Sequence, residues 1–112
     1  SGTRFNYSNT NFVLLALIIE KVTGKSYASF LKEIFFTPLQ MIDTYVYTHA
    51  DSARATPSYR WNGVMEGYTW MDETVGDKNI YSTPRDLLKW DQSLYSHQIL
   101  SAAIKDSAFK PY

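Results

Sequence analysis

Arg4-Phe5-Asn6-Tyr7-Ser8-Asn9, followed by the apolar run from Phe12 to Ile19, is the stretch on which the reading of the chain turns. A phenol and an amide stand two residues apart just before a strongly hydrophobic segment. From Thr10 to Thr23 apolar residues occupy nearly every side of a helix, Glu20 and Lys21 enter only in the last turns, and Gly24 stops it as a C′ residue. Tyr7 and Asn9 are therefore expected at a helix N-terminus, where backbone N–H groups are unsatisfied and the local potential is positive. Ser8, Asn9 or Thr10 can serve as N-cap. A helix apolar on all sides is expected to be buried on all sides. A two-layer domain of 112 residues could barely hide it, since small chains bury only about 60–70% of their unfolded surface. The chain thus reads as a slice of a larger fold, or as one that pairs with a second copy through an exposed core face.

The bulk properties narrow the function classes. At 112 residues the chain, 1–112, is a single domain or part of one. Lys+Arg and Asp+Glu number 11 each, so nothing suggests a polyanion-binding surface, and nucleic acid is set aside as a partner. With no Cys, thiol catalysis, disulfides and zinc–thiolate sites are excluded. The longest apolar run is far too short to span a bilayer. The chain does not begin with Met and shows no basic-then-apolar leader, so a signal peptide or anchor is expected only outside it. His49 and His97 lack paired ligand spacing, and Asp72, Glu73 and Asp77 lack the calcium-loop pattern, reading instead as a solvated loop. No metal and no cofactor is expected.

Ser26 reads as the next N-cap, with Tyr27, Phe30, Leu31, Ile34 and Phe35 at helical spacing up to Pro38. The short link Gly24-Lys25 makes these two helices neighbours. Leu39 to Tyr47 has little helical period and reads as extended. Tyr59 to Met65 reads as a small hairpin around the two-residue turn Asn62-Gly63. Met71 to Asn79 is polar and irregular. Ser82-Thr83-Pro84-Arg85-Asp86 is a helix start with a hydroxyl cap, Pro at the first helical position and an acid in the first turn; Leu87, Leu88, Trp90, Leu94 and Tyr95 follow. A last short helix is expected after Ser101. The fold class is mainly α with a small β-hairpin.

Three blocks carry a resemblance. Gly2-Thr3-Arg4-Phe5-Asn6-Tyr7-Ser8-Asn9 resembles the second signature, Tyr-x-Asn, of the serine β-lactamase and penicillin-binding-protein superfamily, in its class C and D-alanyl-D-alanine-carboxypeptidase-like branch. Gly24-Lys25-Ser26-Tyr27, then Ile34-Phe35 and Pro38-Leu39-Gln40-Met41, is similar to that family's G-x-x-Y … I-F-x-P-L-G-M stretch, with Gln40 where Gly is usual. Gly76 to Leu88 is similar to its G-x-G-G-x-x-S-T-x-x-D-L segment, with Lys78 and Asn79 where Gly is expected. The blocks keep order and spacing from Ser1 to about Leu100.

The resemblance implies a helical subdomain of an α+β fold, from a serine hydrolase that transfers acyl groups through an acyl-enzyme. In that family a Ser of an S-x-x-K motif attacks a carbonyl, Tyr-x-Asn handles protons and positions substrate, and a K-T-G strand binds a carboxylate. A phenol ordinarily titrates near 10, and Lys neighbours favour its phenolate, so it can exchange a proton with nucleophile or leaving group. An amide both donates and accepts. Tyr7 is then the acid/base residue and Asn9 the positioning residue. Only six residues precede Tyr7, and the two S-x-x-K matches, Ser29–Lys32 and Ser107–Lys110, lie downstream, Ser29 reading as a first-turn helix residue and Ser107 as surface. The piece is expected to be inactive alone. In the parent the substrate would be a peptide or a β-lactam-like small molecule, met by the loop aromatics Tyr59, Trp61 and Trp70. The parent would be periplasmic, secreted or membrane-anchored. Two rivals stay open: a non-catalytic relative used for binding or sensing, and an aromatic-rich glycan- or peptide-binding module whose Trp and Tyr are packing or stacking groups.

Overall fold

The computed structural model describes residue 4 and residues 6–110, with Trp70 described by its backbone. Gly2, Thr3 and Phe5 of the first block lie outside the described residues. Among the described residues four α-helices follow in chain order: α1 (Asn9–Thr23), α2 (Tyr27–Leu31), α3 (Pro84–Ser96) and α4 (Ala102–Phe109). Two short strands, β1 (Tyr45–Val46) and β2 (Ile80–Tyr81), pair antiparallel, Tyr45 opposite Tyr81 and Val46 opposite Ile80. Of Leu39 to Tyr47, expected to be extended, Leu39, Gln40, Ile42 and Asp43 are turn, and only Tyr45 and Val46 pair as strand.

The termini form where cap chemistry dictates. Ser26, Thr83 and Ser101 each accept a backbone N–H three residues on, at 3.2, 3.3 and 3.4 Å. Gly24, at φ 68°, closes α1 by donating its N–H to the Glu20 carbonyl at 2.9 Å. The Glu20 carboxylate then accepts the Tyr27 N–H at 2.8 Å and ties the end of α1 to the start of α2, the predicted neighbours.

After Leu31 the second helix widens into a π turn, Lys32–Phe36, with Thr37 N–H donating to the Lys32 carbonyl and Met41 N–H to the Phe36 carbonyl, both at 2.8 Å. The extra residue rotates the chain beyond it. Phe36 is buried at 8% exposure, whereas Ile34, expected on the inner face, is 40% exposed. The core gathers Leu31, Phe36, Leu39, Met41 and Val46, with Tyr27, Phe30, Phe35, Val75, Trp90 and Ile99 packed around it. Phe35 meets Trp90 edge-on, centroids 5.6 Å apart.

The fully buried positions of α3 are polar, although Leu87, Leu88, Trp90, Leu94 and Tyr95 lie along it. Leu87, Leu88 and Tyr95 are exposed, while Asp86 and Ser93 are buried, with Trp90 half-buried between them. Asp86 is wholly buried. Its carboxylate accepts the Asp43 N–H and the Thr44 hydroxyl, both at 2.9 Å, and the Lys89 ammonium at 2.8 Å. Thr44 also hydrogen-bonds Ser82 at 2.8 Å, and Lys89 donates to the Gln40 carbonyl. Burial alone would push the Asp86 carboxyl up; the hydrogen bonds from Lys89, Thr44 and the Asp43 amide, with the Lys89 charge, outweigh it and hold it below the usual range.

The expected burial of α1 is not met within the chain. Ala16 is its buried residue, while Phe12, Leu14, Leu15, Leu17, Ile18 and Val22 are exposed, Val22 at 80%. The accessible surface is 8937 Å² for 12.9 kDa, against roughly 6,300 Å² from the scaling for self-contained monomers. The radius of gyration is 16.2 Å, where about 13 Å is usual for this length. Among the described residues, the other elements do not reach round this helix.

Candidate functional site

Tyr7 lies in irregular backbone immediately before Ser8, which is extended (φ −147°, ψ 119°) and accepts the Asn11 N–H on its carbonyl at 3.2 Å. Asn9 is the first residue of α1 and is exposed. The Ser8 side chain makes no capping hydrogen bond. Tyr7 is 62% exposed, with its ring against the Phe12 ring, centroids 5.6 Å apart and tilted by 39°. The phenol and the amide thus stand open at the positive end of an apolar helix, free of the core.

The two downstream S-x-x-K matches do not form a nucleophile pair. Ser29 is exposed and receives a hydrogen bond at 2.9 Å from Ser26, its own helix cap. Ser107 is an exposed residue of α4, and Lys110 is that helix's extended C-cap.

The hairpin forms with a different turn from the expected one. Tyr59 and Met65 bridge antiparallel, Arg60 N–H donates to Val64 at 2.8 Å, and Gly63 N–H donates to Arg60 at 2.9 Å. The loop is therefore Trp61-Asn62-Gly63, with Gly63 left-handed at φ 78°. A two-residue type I′ turn would need Asn62 left-handed too, which it is not. This loop throws Trp61 to the tip, 99% exposed, and leaves Tyr59 exposed beside it. Trp70 opens a 3-10 turn, Trp70–Glu73; its side chain lies outside the described set. No ring contact or hydrogen bond among the described residues joins Tyr7 or Asn9 to Tyr59 or Trp61.

A cleft of about 520 Å³ at the hairpin base was not singled out from the sequence. Tyr47, Tyr68 and Tyr81 supply its aromatic walls, Asp72, Lys78 and Asn79 its polar groups. Tyr81 stacks between Tyr45 and Tyr47, centroids 5.6 and 5.2 Å away, and the Arg54 guanidinium caps the Tyr45 ring at 3.4 Å. Desolvation pushes the Tyr47 phenol up, reinforced by Tyr81 and the Asp72, Asp51 and Glu73 carboxylates; desolvation also raises Tyr68, helped by Glu73. These phenols stay protonated at neutral pH, so they donate hydrogen bonds rather than act as bases. The signal that could have found the cleft is the two-residue spacing of Tyr45 and Tyr47, which puts both rings on one side of the chain against Tyr81.

The acidic loop is structured rather than simply solvated. Asp72 accepts the Thr69 N–H at 2.5 Å and its hydroxyl at 2.9 Å, which holds its carboxyl below the usual range. Asp51 does the same for Thr48 and pairs with Arg54 at 2.7 Å. His49 packs its ring on Tyr68 at 4.6 Å, and His97 is the left-handed cap of α3, so neither is arranged with the other.

Gln40 and Asn79, two residues standing where the resembling family has Gly, both adopt left-handed backbone, at φ 56° and 72°. Asn tolerates that region, and the Asn79 amide fastens the turn by donating to the Thr74 carbonyl at 2.9 Å and to that of Asp72. Gln40 has no such compensation among the hydrogen bonds of the described residues.

The family model for Beta-lactamase matches residues 1–111. Penicillin-binding protein 4* of Bacillus subtilis (strain 168) is 36% identical, over 94% of this chain and 27% of its own length. The D-alanyl-D-alanine-carboxypeptidase/endopeptidase AmpH of Escherichia coli (strain K12) is 32% identical, over 85% of this chain and 24% of its own. Among solved structures, the D-amino acid amidase of Ochrobactrum anthropi SV3 superposes with a TM-score of 0.78 and 31% identity, covering 93% of this chain and 32% of that one. The chain therefore spans about a quarter to a third of the length of these relatives, and it belongs to the beta-lactamase family.

Proposed function

We propose that this chain is the central helical segment of a longer serine hydrolase that performs acyl transfer on an amide or ester. In this reading residues 1–112 form one partial domain, inactive by itself. The nucleophilic Ser and the carboxylate-binding strand come from the rest of the parent. Tyr7 exchanges a proton with the nucleophile or leaving group, and Asn9 holds the substrate carbonyl through its amide. The observation that carries the reading is the open phenol of Tyr7 at the mouth of α1, 62% exposed, in a chain of this family. A sealed hydroxyl facing the core would have left an ordinary helix start.

The substrate is a peptide or a β-lactam-like small molecule, in keeping with relatives named as a carboxypeptidase and a D-amino acid amidase. Tyr59 and Trp61 on the exposed hairpin, with Trp70, would rim the mouth. The exposed faces of α1 and α3 would pack against the rest of the parent, or against a second copy when the segment stands alone. The parent acts outside the cytoplasm: periplasmic, secreted or anchored.

In the full-length hydrolase, Tyr7→Phe is expected to lower the acyl-transfer rate by roughly 10²–10⁴, the span of an acid/base group. An unchanged rate removes Tyr7 from the mechanism. The segment alone should take up no label from a fluorescent penicillin; an adduct on Ser29 or Ser107 by mass spectrometry would overturn the division of labour.

A further inference from the structure

A proton-transfer group works only if its hydroxyl is held to a fraction of an ångström, and a displacement of about 1 Å can cost 10²-fold. Tyr7 precedes the helix, so the hydrogen bonds of α1 do not orient it. Its ring rests on Phe12, centroids 5.6 Å apart, in the first turn. Gly76 in turn lies so close to the backbone of Phe12 that a Cβ there would stand 2.4 Å from the Phe12 carbonyl oxygen and 2.9 Å from the Ala16 Cβ. Ala16 is the buried residue of α1, so this is where the loop seats on the helix. Gly76 also sits at φ 100°, a conformation side chains resist. The loop behind it is braced internally, Thr74 donating to the Met71 carbonyl at 2.9 Å and Asn79 to the Asp72 and Thr74 carbonyls, and it is tied to the rest of the chain by the Tyr47 N–H on the Asn79 carbonyl at 2.8 Å and the His49 N–H on the Glu73 carboxylate at 3.2 Å.

We propose that Phe12 and Gly76 are positioning residues for Tyr7: the Phe12 ring is the shelf on which the phenol lies, and Gly76 sets where that shelf stands. The inference rests on the acid/base reading of Tyr7. A side chain at 76 meets helix backbone and not the end of a flexible side chain, so relief requires moving the turn that carries Phe12.

The test uses the full-length hydrolase with a chromogenic β-lactam and a D-amino acid p-nitroanilide, comparing Phe12→Ala, Phe12→Tyr, Gly76→Ala, Tyr7→Phe and the core control Leu39→Ala. Phe12→Ala and Gly76→Ala are expected to lower kcat roughly ten- to a hundredfold, with KM within about twofold, and to displace the kcat–pH limb that Tyr7→Phe abolishes. Phe12→Tyr should restore both. Leu39→Ala should lower Tm without moving that limb. Wild-type kcat and pH profile in Phe12→Ala, or an equal displacement by Leu39→Ala, overturns the proposal. If Gly76→Ala does not fold, the Phe12 pair decides. A crippled Tyr7→Phe beside an unaffected Phe12→Ala defeats this inference alone, whereas a silent Tyr7→Phe defeats the acid/base reading with it.

Discussion

Two helical regions of the chain end in opposite situations. The region of α2, its π turn and α3 closes on itself: Leu31, Phe36, Leu39 and Met41 bury one another, and Asp86 bolts α3 to the residues before β1. The region of α1 is the more hydrophobic, yet its Leu and Ile side chains face outward and the catalytic candidates stand at its end. Apolar composition therefore says that a helix will be covered, not by what. Burial from within depends on partners in the chain; burial from without leaves a surface far larger than a monomer of this mass shows.

The largest expected effect falls on the self-closed region. Asp86→Ala removes the acceptor of an amide, a hydroxyl and an ammonium at once. Deleting one partner of a buried pair costs about 3–5 kcal/mol, so the urea midpoint should fall steeply. A loss under about 1 kcal/mol would mean that the two regions do not differ in how they are held.

The same carboxylate gives the comparison a pH arm. Asp86, with Asp51 and Asp72, is held below its usual range in the folded chain. In the unfolded chain such groups titrate near 3.9. Their contribution is thus complete above that value and is lost as the pH falls through their lower folded values. Thermal unfolding between neutral and strongly acid pH should show stability declining on the acid side, and Asp86→Asn should flatten that decline.

Next in size is the pair that reports the π turn. Phe36→Ala should cost about 3 kcal/mol, and Ile34→Ala less than about 1. Equal losses would place both on the inner face and remove the slip. This pair also marks where the sequence was legible. Ser26 was readable as a cap, Ser82 or Thr83 as the next, and Ser101 as the residue before the last helix, because a cap acts on an amide three residues away. The π turn was not, since nothing in Lys32-Glu33-Ile34-Phe35-Phe36 distinguishes a wide turn from a regular one until Met41 donates back to Phe36. The Asp86 anchor was read only as a first-turn acid, because Asp43 and Thr44 are more than forty residues away. Tyr7 and Asn9 were legible as a motif. The tyrosine cleft was not, since it depends on pairing β1 with β2.

Gln40→Gly is a smaller and opposite effect. A left-handed non-glycine residue costs about 1–2 kcal/mol, and glycine's extra freedom in the unfolded chain offsets about 0.5–1 of it. The Lys89 contact is to the Gln40 carbonyl, which glycine keeps. A gain of about 0.5–1 kcal/mol is expected in urea unfolding, against no gain if the strain is relieved elsewhere.

The smallest stability effect tests the other half of the comparison. Leu15 and Ile18 are each 55% exposed, so Leu15→Gln with Ile18→Gln should change the unfolding free energy of this chain by less than about 0.5 kcal/mol. Leu31→Ala, at a buried position, should cost about 2–3 kcal/mol. Exposed apolar patches of this kind drive association, so sedimentation of the unsubstituted chain should shift with concentration, and the double variant should abolish the shift. In the full-length protein the order reverses, because the same two glutamines would then lie against the parent's own core and each would bury an amide without a partner. Equal tolerance in chain and parent would show that α1 is a solvent-facing helix in both, and the distinction between the two regions would reduce to one of composition.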